Sequence, residues 1–276
     1  MLALLALGAA PAASLAQRPG KVWRVGFLVP RSRPTSFDDD SIGGFIRGMR
    51  ELGYVEGRNL LIEWRFADNK LDRLPGLARE LVALRPDVVV ALATPAAVAM
   101  QKATSTLPIV MTNVGDPVGA GLVKSLARPE ANITGMSNFT AEVGPKQFEV
   151  LLEIIPHLSR VAVLVNPDNP GSQAVFRSIQ DAARQARKEV ILVHARHEQD
   201  LAAAFATIAR ERADAVIVAG DPSLNEARRL IADLALKQRL PCMGPFRELA
   251  EAGALAGFGV PTDAINRRAP FRILST

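Results

Sequence analysis

The sequence is poor in three residue types, and each scarcity narrows its chemistry. Cys242 is the single cysteine among 276 residues. That excludes an intrachain disulfide and a cysteine-rich metal site, and Cys242 lies far from any position where a lipoprotein signal would place a lipidated cysteine. Aromatic residues make up only 5% while hydrophobic residues reach 49%, so the interior must be built from Ala, Val, Leu and Ile. This is the palette of helices packed on doubly covered parallel sheets. The histidines are His157, His194 and His197. "HARH" spaces the last two by three residues, but it falls where a strand passes into a helix with no third ligand nearby, which argues against a metal.

Missing motifs remove further activities. There is no Gly-x-Gly-x-x-Gly fingerprint, no phosphate loop ending in Gly-Lys-Ser/Thr, and no Gly-x-Ser-x-Gly elbow. A nucleotide enzyme or a serine hydrolase is therefore disfavoured, and neither catalytic residues nor a cofactor are expected. The net charge is +5 and the pI about 9.8, yet Lys and Arg are scattered beside acids, as in "DRLPGLARELVALRPD". No basic run carries an aromatic stripe, so nucleic acid is not an expected partner and an anionic small ligand is a simpler one. No apolar run reaches the roughly 20 residues that cross a bilayer. The opening "MLALLALGAAPAASLA", residues 1–16, is uncharged, with Ser14 and Ala16 at the small-residue positions of an export cleavage site. It reads as a signal peptide cut before Gln17, although no Lys or Arg precedes the apolar stretch; the other reading is an N-terminal core helix.

What the chain does have is alternation. "VWRVGFLVP" and "NLLIEWRF" read as strands separated by the amphipathic "DSIGGFIRGMRELGY", which sets Ile42, Phe45, Ile46, Met49 and Leu52 on one helical face. "DRLPGLARELVALRPD" is a helix feeding the strand "VVVALA"; "TPAAVAMQKAT", "LPIVMT" and "PVGAGLVKSLARP" follow as helix, strand and helix. The pattern restarts after "NITGMSNF" with helix "GPKQFEVLLEIIPHL", strand "RVAVLVNP", helix "SQAVFRSIQDAARQARK", strand "EVILVHA", helix "EQDLAAAFATIARERA", strand "DAVIVAGDP", helix "LNEARRLIADLALKQR" and "LPCMG". Strict alternation implies parallel strands with right-handed crossovers. The expected fold is therefore α/β, two Rossmann-like doubly wound lobes joined near Gly135 to Thr140 without a Pro/Ser/Gly-rich linker.

One short phrase occurs twice: "VGDPVG" (Val114 to Gly119) and "AGDPSL" (Ala219 to Leu224), each after an apolar strand. In an open parallel sheet, ligands bind beyond the carboxyl ends of the strands. Gly permits a tight turn, Asp caps the following helix, and Pro at the first helical position gives up no hydrogen bond. The exposed N–H groups and positive helix ends favour a carboxylate. The two copies are taken to stand at equivalent places in the two lobes, with Asp116 and Asp221 serving as cap, as ligand contact, or as both.

Together "ELGYVEGRN", "RPDVVVA", "TPAA", "DPVGAGLV", "NITG" and "LPCMGPFRELAEAGALAGFG" resemble ABC-transporter substrate-binding proteins of the tryptophan/tyrosine type, from about Val22 to Gly259. The resemblance implies a type I periplasmic binding fold and a periplasmic, monomeric protein. It would close by hinge motion on a small carboxylate-bearing solute (amino acid, aromatic acid or aliphatic acid) and deliver it to an inner-membrane permease with its ATPase. The other reading is a ligand-sensing module feeding a signalling partner. Carried residue by residue, the resemblance points to Thr94, Pro95, Asn113, Asp116, Asn166, Asn169, Asp221 and Ser223 as ligand contacts, with Phe139 and Phe246 as apolar walls. It divides the chain into residues 1–16, an N-terminal lobe 20–137, a C-terminal lobe 138–259, and the start of a truncated return segment, 260–276.

Overall fold

A computed structural model describes residues 21–38, 40–129 and 131–273. The proposed signal peptide lies outside them. The first lobe runs β1 (Trp23–Val29), α1 (Ser41–Glu51), β2 (Leu60–Phe66), α2 (Leu74–Ala83), β3 (Val88–Leu92), α3 (Ala93–Ala103), β4 (Ile109–Val114) and β5 (Ile133–Ser137). The second runs α4 (Thr140–Ile154), β6 (Arg160–Val165), α5 (Pro170–Gln185), β7 (Glu189–His194), α6 (Leu201–Arg210), β8 (Ala215–Val218), α7 (Pro222–Glu226), α8 (Arg228–Lys237), β9 (Cys242–Gly244), α9 (Arg247–Glu251) and β10 (Ala256–Gly257). A last helix, α10 (Thr262–Ile273), follows.

The two sheets share one topology. Their strand orders are β2-β1-β3-β4-β5 and β10-β9-β8-β6-β7, which is the same order read from opposite edges, and every pairing is parallel. Aliphatic strands such as "VVVAL" are buried along their whole length because helices cover both faces. On the first sheet, α2 and α3 bury Leu77, Leu81 and Met100 on one side, while α1 contributes Ile42, Phe45 and Met49 on the other. On the second, Phe148 of α4 and Ile179 of α5 face one side, and Phe205 of α6 and Ile231 of α8 the other. Among the described residues no helix is long and apolar enough to cross a membrane. Cys242 is buried, and burial pushes its thiol up to about 12.

The lobes also share an anchoring device. Asp87, just before β3, accepts the Arg24 backbone N–H (2.8 Å), and Asp214, just before β8, accepts those of Ser159 and Arg160 (2.8 and 2.9 Å). Each carboxylate pins the start of its lobe's first strand. Partial desolvation pushes both carboxyls up, but these bonds, helped by Lys21 at Asp87 and the Ser159 hydroxyl at Asp214, outweigh it and leave both below the usual carboxylate range.

Two expectations need correction. "PVGAGLVKSLARP" is a series of turns rather than a helix: Gly121 sits at φ +70, and Leu122 and Val123 are buried by turns that Gln101 fastens through the carbonyls of Gly121 and Leu122. The second correction concerns the repeated phrase. Asp116 follows the fourth strand of its lobe, whereas Asp221 follows the third strand of the other. The stretch matching "DAVIVAGDP" is "DVVVALATP", Asp87 to Pro95, since β3 and β8 pair identically with their first strands. Thr94 is thus the counterpart of Asp221.

Residues 262–273 return to the first lobe and pack on α1. Gly44 and Gly48 make this possible, because a Cβ on either would overlap the backbone carbonyl of Asp263 or Arg267. Ion pairs Arg47–Asp263 and Arg267–Glu51 flank the seam.

Two stability predictions follow from these contacts. Gly48→Ala is expected to destabilise by about 1–3 kcal/mol through overpacking, against the usual helix preference for Ala. Gly76→Ala in α2, which meets open space, is expected to stabilise by about 0.5–1 kcal/mol; urea unfolding of both decides whether the α1–α10 contact is that tight. Asp87 and Asp214 carry depressed carboxyls, so their stabilisation is complete above the unfolded value of about 3.9 and is lost as pH falls through the lower folded value. Asp214→Asn is therefore expected to flatten the acid limb of the unfolding midpoint plotted against pH.

Candidate ligand cleft between the lobes

The carboxyl ends of the strands in one sheet face those of the other. In this sheet order the point where crossovers change direction lies between the first and third strands, and loops diverge there to leave a crevice. Arg31 after β1 and Ala93 with Thr94 after β3 supply one wall of a small cavity; Asn169 after β6 and Gly220 with Asp221 after β8 supply the other. Asn113, Asn138 and Thr140 close it from the lobe junction, Phe246 adds an apolar side, and Asn225 of α7 completes it. The space is about 60 Å³, several times the ~10–15 Å³ that one water occupies.

Several helices start at this crevice, and in α1, α5 and α7 the first turn is satisfied from within. Asp40 accepts the Ile42 N–H at α1 (2.8 Å), Asn169 the Gly171 N–H at α5 (2.9 Å), and Asp221 those of Ser223 and Leu224 at α7 (2.9 and 3.0 Å). At α3 no side chain caps the helix. Its start is also strained: Ala93 lies in the left-handed region at φ +64, a conformation that costs about 1 kcal/mol or more for a residue with a Cβ.

Buried acceptors accumulate on the same cavity. Asn266 donates to the Ser41 carbonyl (2.8 Å), which turns its Oδ1 toward Thr112 Oγ1 and Asn113 Nδ2 (2.7 Å each). Asn113 must then present its own Oδ1 elsewhere, and that oxygen is buried without a partner. The Oδ1 atoms of Asn138 and Asn225 are in the same condition. Leaving such groups unpaired costs about 1–3 kcal/mol each. All three residues line the one cavity.

Asp221 is buried, 1% exposed, and accepts four hydrogen bonds: two helix N–H groups, Asn169 Nδ2 at 2.8 Å and Asn166 Nδ2 at 3.2 Å. Burial pushes its carboxyl up against the pull of those bonds. Among the described residues no Lys or Arg pairs with it. It lines the cavity and caps α7 at once.

Of the ten residues singled out in the sequence, Thr94, Asn113, Asn169, Asp221 and Phe246 line the cavity. Asn166 stands behind Asp221, and Pro95 is buried in the first turn of α3. Ser223 donates its hydroxyl across the cleft to Asn69 Oδ1 (2.8 Å). Asp116 accepts the Gly119 N–H (2.8 Å) and lines a separate depression with Arg177. Phe139 is 41% exposed, in left-handed conformation at the lobe junction. Arg31, Asn138 and Asn225 also line the cavity without having been singled out. Asn225 carried a signal: it lies one helical turn beyond Asp221, on the same face. Among the described residues no three metal-ligating side chains cluster.

Two facing α/β lobes around a small cavity, with Asn, Asp and Thr side chains in its lining, define a small-molecule-binding protein. The profile of the family described as ABC transporter substrate binding protein matches residues 27–270, and the chain belongs to that family, one of binding proteins and not of enzymes. The chain is 27% identical over 231 residues to a tyrosine-binding protein of Clostridioides difficile (strain R20291), covering 84% of this chain and 66% of that relative, so it spans just under two thirds of the relative's length. A conserved domain protein from Vibrio cholerae superposes with a TM-score of 0.85 at 28% identity, covering 92% of this chain and 84% of that one. The ABC domain of Streptococcus pneumoniae in complex with L-Trp has the same fold, with a TM-score of 0.79 at 24% identity, covering 91% and 83%. The fold is that of the type I periplasmic binding proteins.

Asp221→Ala is expected to cost about 2–4 kcal/mol of stability, since it uncaps α7 and strands two buried amide donors. Asp116→Ala removes one turn contact and is expected to cost about 1 kcal/mol or less. Equal small losses in urea unfolding would mean that Asp221 is no structural cap.

Proposed function

We propose that this chain is the solute-binding component of an ABC importer, working in the periplasm and handing an α-amino acid to an inner-membrane permease and its ATPase. One observation carries the solute class: an uncapped helix end and a set of unpaired acceptors share one cavity. The α3 N-terminus, which no side chain caps, turns a positive dipole end toward a carboxylate. The unpartnered Oδ1 atoms of Asn113, Asn138 and Asn225, beside an Asp221 carboxyl that no Lys or Arg pairs among the described residues, suit a donor-rich cation such as an ammonium. An α-amino acid supplies both groups on one carbon. An acid without an amine satisfies only the first.

The relative that binds tyrosine and the fold neighbour crystallised with L-Trp support the amino-acid class. At about 60 Å³ the space is small for an aromatic side chain, and the reading has the lobes part to admit one. Only two stretches of described chain join them, Asn138–Phe139 and the segment around Phe258 to Pro261, an arrangement suited to hinge closure on a ligand. Thr94, Asn113, Asn169 and Asp221 are assigned as contacts to the polar head, and Phe246 as a wall for the side chain.

Thermal unfolding against L-tyrosine, L-tryptophan, L-leucine, benzoate and an aliphatic acid tests the assignment. A ligand at a hundred times its Kd adds about 2.7 kcal/mol to the folded state, so amino acids should raise the midpoint and acids lacking an amine should not. Asn225 makes no side-chain hydrogen bond among the described residues, so Asn225→Ala should leave the empty protein within about 0.5 kcal/mol. It should weaken amino-acid binding about five- to a hundredfold. A shift with benzoate as large as that with tyrosine would sink the ammonium assignment.

A further inference from the structure

Asn69 lies outside the cavity, in the loop after β2, yet it is a side chain of the first lobe that bonds the second lobe twice. Its Nδ2 donates to Glu226 Oε2 (2.7 Å) and its Oδ1 accepts the Ser223 hydroxyl (2.8 Å). The amide orientation is set by chemistry, since an ionised Glu226 only accepts. The loop is built to present it: Asn69 stands at φ +60, its N–H donates to the Pro30 carbonyl (3.0 Å), and Arg73 braces the turn through Asp68. Left-handed backbone is more accessible to Asn than to most residues.

The partners matter as much as the bonds. Ser223 is 4% exposed, and its own N–H donates to Asp221, the cavity carboxylate that in turn holds Asn169. Glu226 is four residues beyond Pro222, at the other end of α7. A contact of Asn69 therefore fixes the helix that carries Asp221 and Asn225 against the first lobe without touching the cavity. We infer that Asn69 is a closure latch: it holds the closed arrangement of the lobes, and so sets affinity from outside the site. The inference rests on the two-lobed trap proposed above.

Swapping the polarity of the latch tests it without removing any side chain. In Asn69→Asp the Ser223 bond survives, but two carboxylates face each other; adding Glu226→Gln restores a donor opposite Asp. Glu226→Gln alone keeps an acceptor for Asn69. Inter-lobe distances would be measured by pulsed electron paramagnetic resonance on the full chain labelled at Lys102→Cys and Arg210→Cys, both exposed, while the buried Cys242 stays unlabelled. In ligand-free protein N69D is expected to deplete the short-distance population about three- to tenfold, with N69D/E226Q restoring it and E226Q leaving it unchanged. L-Tyrosine and L-tryptophan titrations should show the same pattern in Kd. Identical distance distributions for the parent and N69D, or no recovery in the double variant, would overturn the latch. If neither amino acid binds any of the four proteins while N69D still parts the lobes, the solute assignment fails and the latch stands.

Discussion

Every strand in both sheets runs parallel to its neighbours, and this constraint organises the molecule. Parallel strands need crossovers, crossovers place a helix after each strand, and the helix N-termini accumulate at the carboxyl edges. Two such edges turned toward each other concentrate positive helix ends, and the residues around the cleft reflect how that field is used. Asp40, Asn169 and Asp221 spend it on folding by capping three helices. The end at Thr94 is left without a side-chain cap.

The return helix α10 contributes to this from a distance. It supplies Asn266, a fully buried amide that accepts from Thr112 and Asn113 and donates to Ser41, thereby tying the ends of β4 and α1 together beneath the cavity. The same bonds engage the Asn113 amide nitrogen and leave its buried carbonyl oxygen without a partner. The side chain that orients the first lobe's acceptor is thus delivered by chain that has already built the second lobe.

Much of the fold was legible because aliphatic runs bounded by turn residues translate directly into buried parallel strands. The stretch after Pro117 misled because Val118, Leu122 and Val123 mimic a helical apolar face, while Gly119 and Gly121 favour turns. The cleft was legible as a place: loops after strands held its residues. Roles were harder to read, since Asp221 as cap and Asp221 as contact use the same residue in the same spot. The repeated Gly-Asp-Pro drew attention to a false equivalence, and the true counterpart, Ala-Thr-Pro, has no acid to mark it. Asn266 could not be paired from sequence at all, with partners some 150 residues away.

The strand order also has a mechanical meaning. The chain leaves the first lobe from β5, at one edge of its sheet, and Asn69 follows β2, at the opposite edge. Four strand spacings of about 4.8 Å separate these edges, roughly 19 Å. Under the proposed hinge closure, a rotation about the connecting segments would act on Asn69 through a long lever arm, with Asn138 and Thr140 close to the junction. A turn of about 10° moves the latch by roughly 3 Å, a full hydrogen-bond length, and barely stirs the junction. On the proposed closure, a small turn at the cavity makes or breaks contact at the rim.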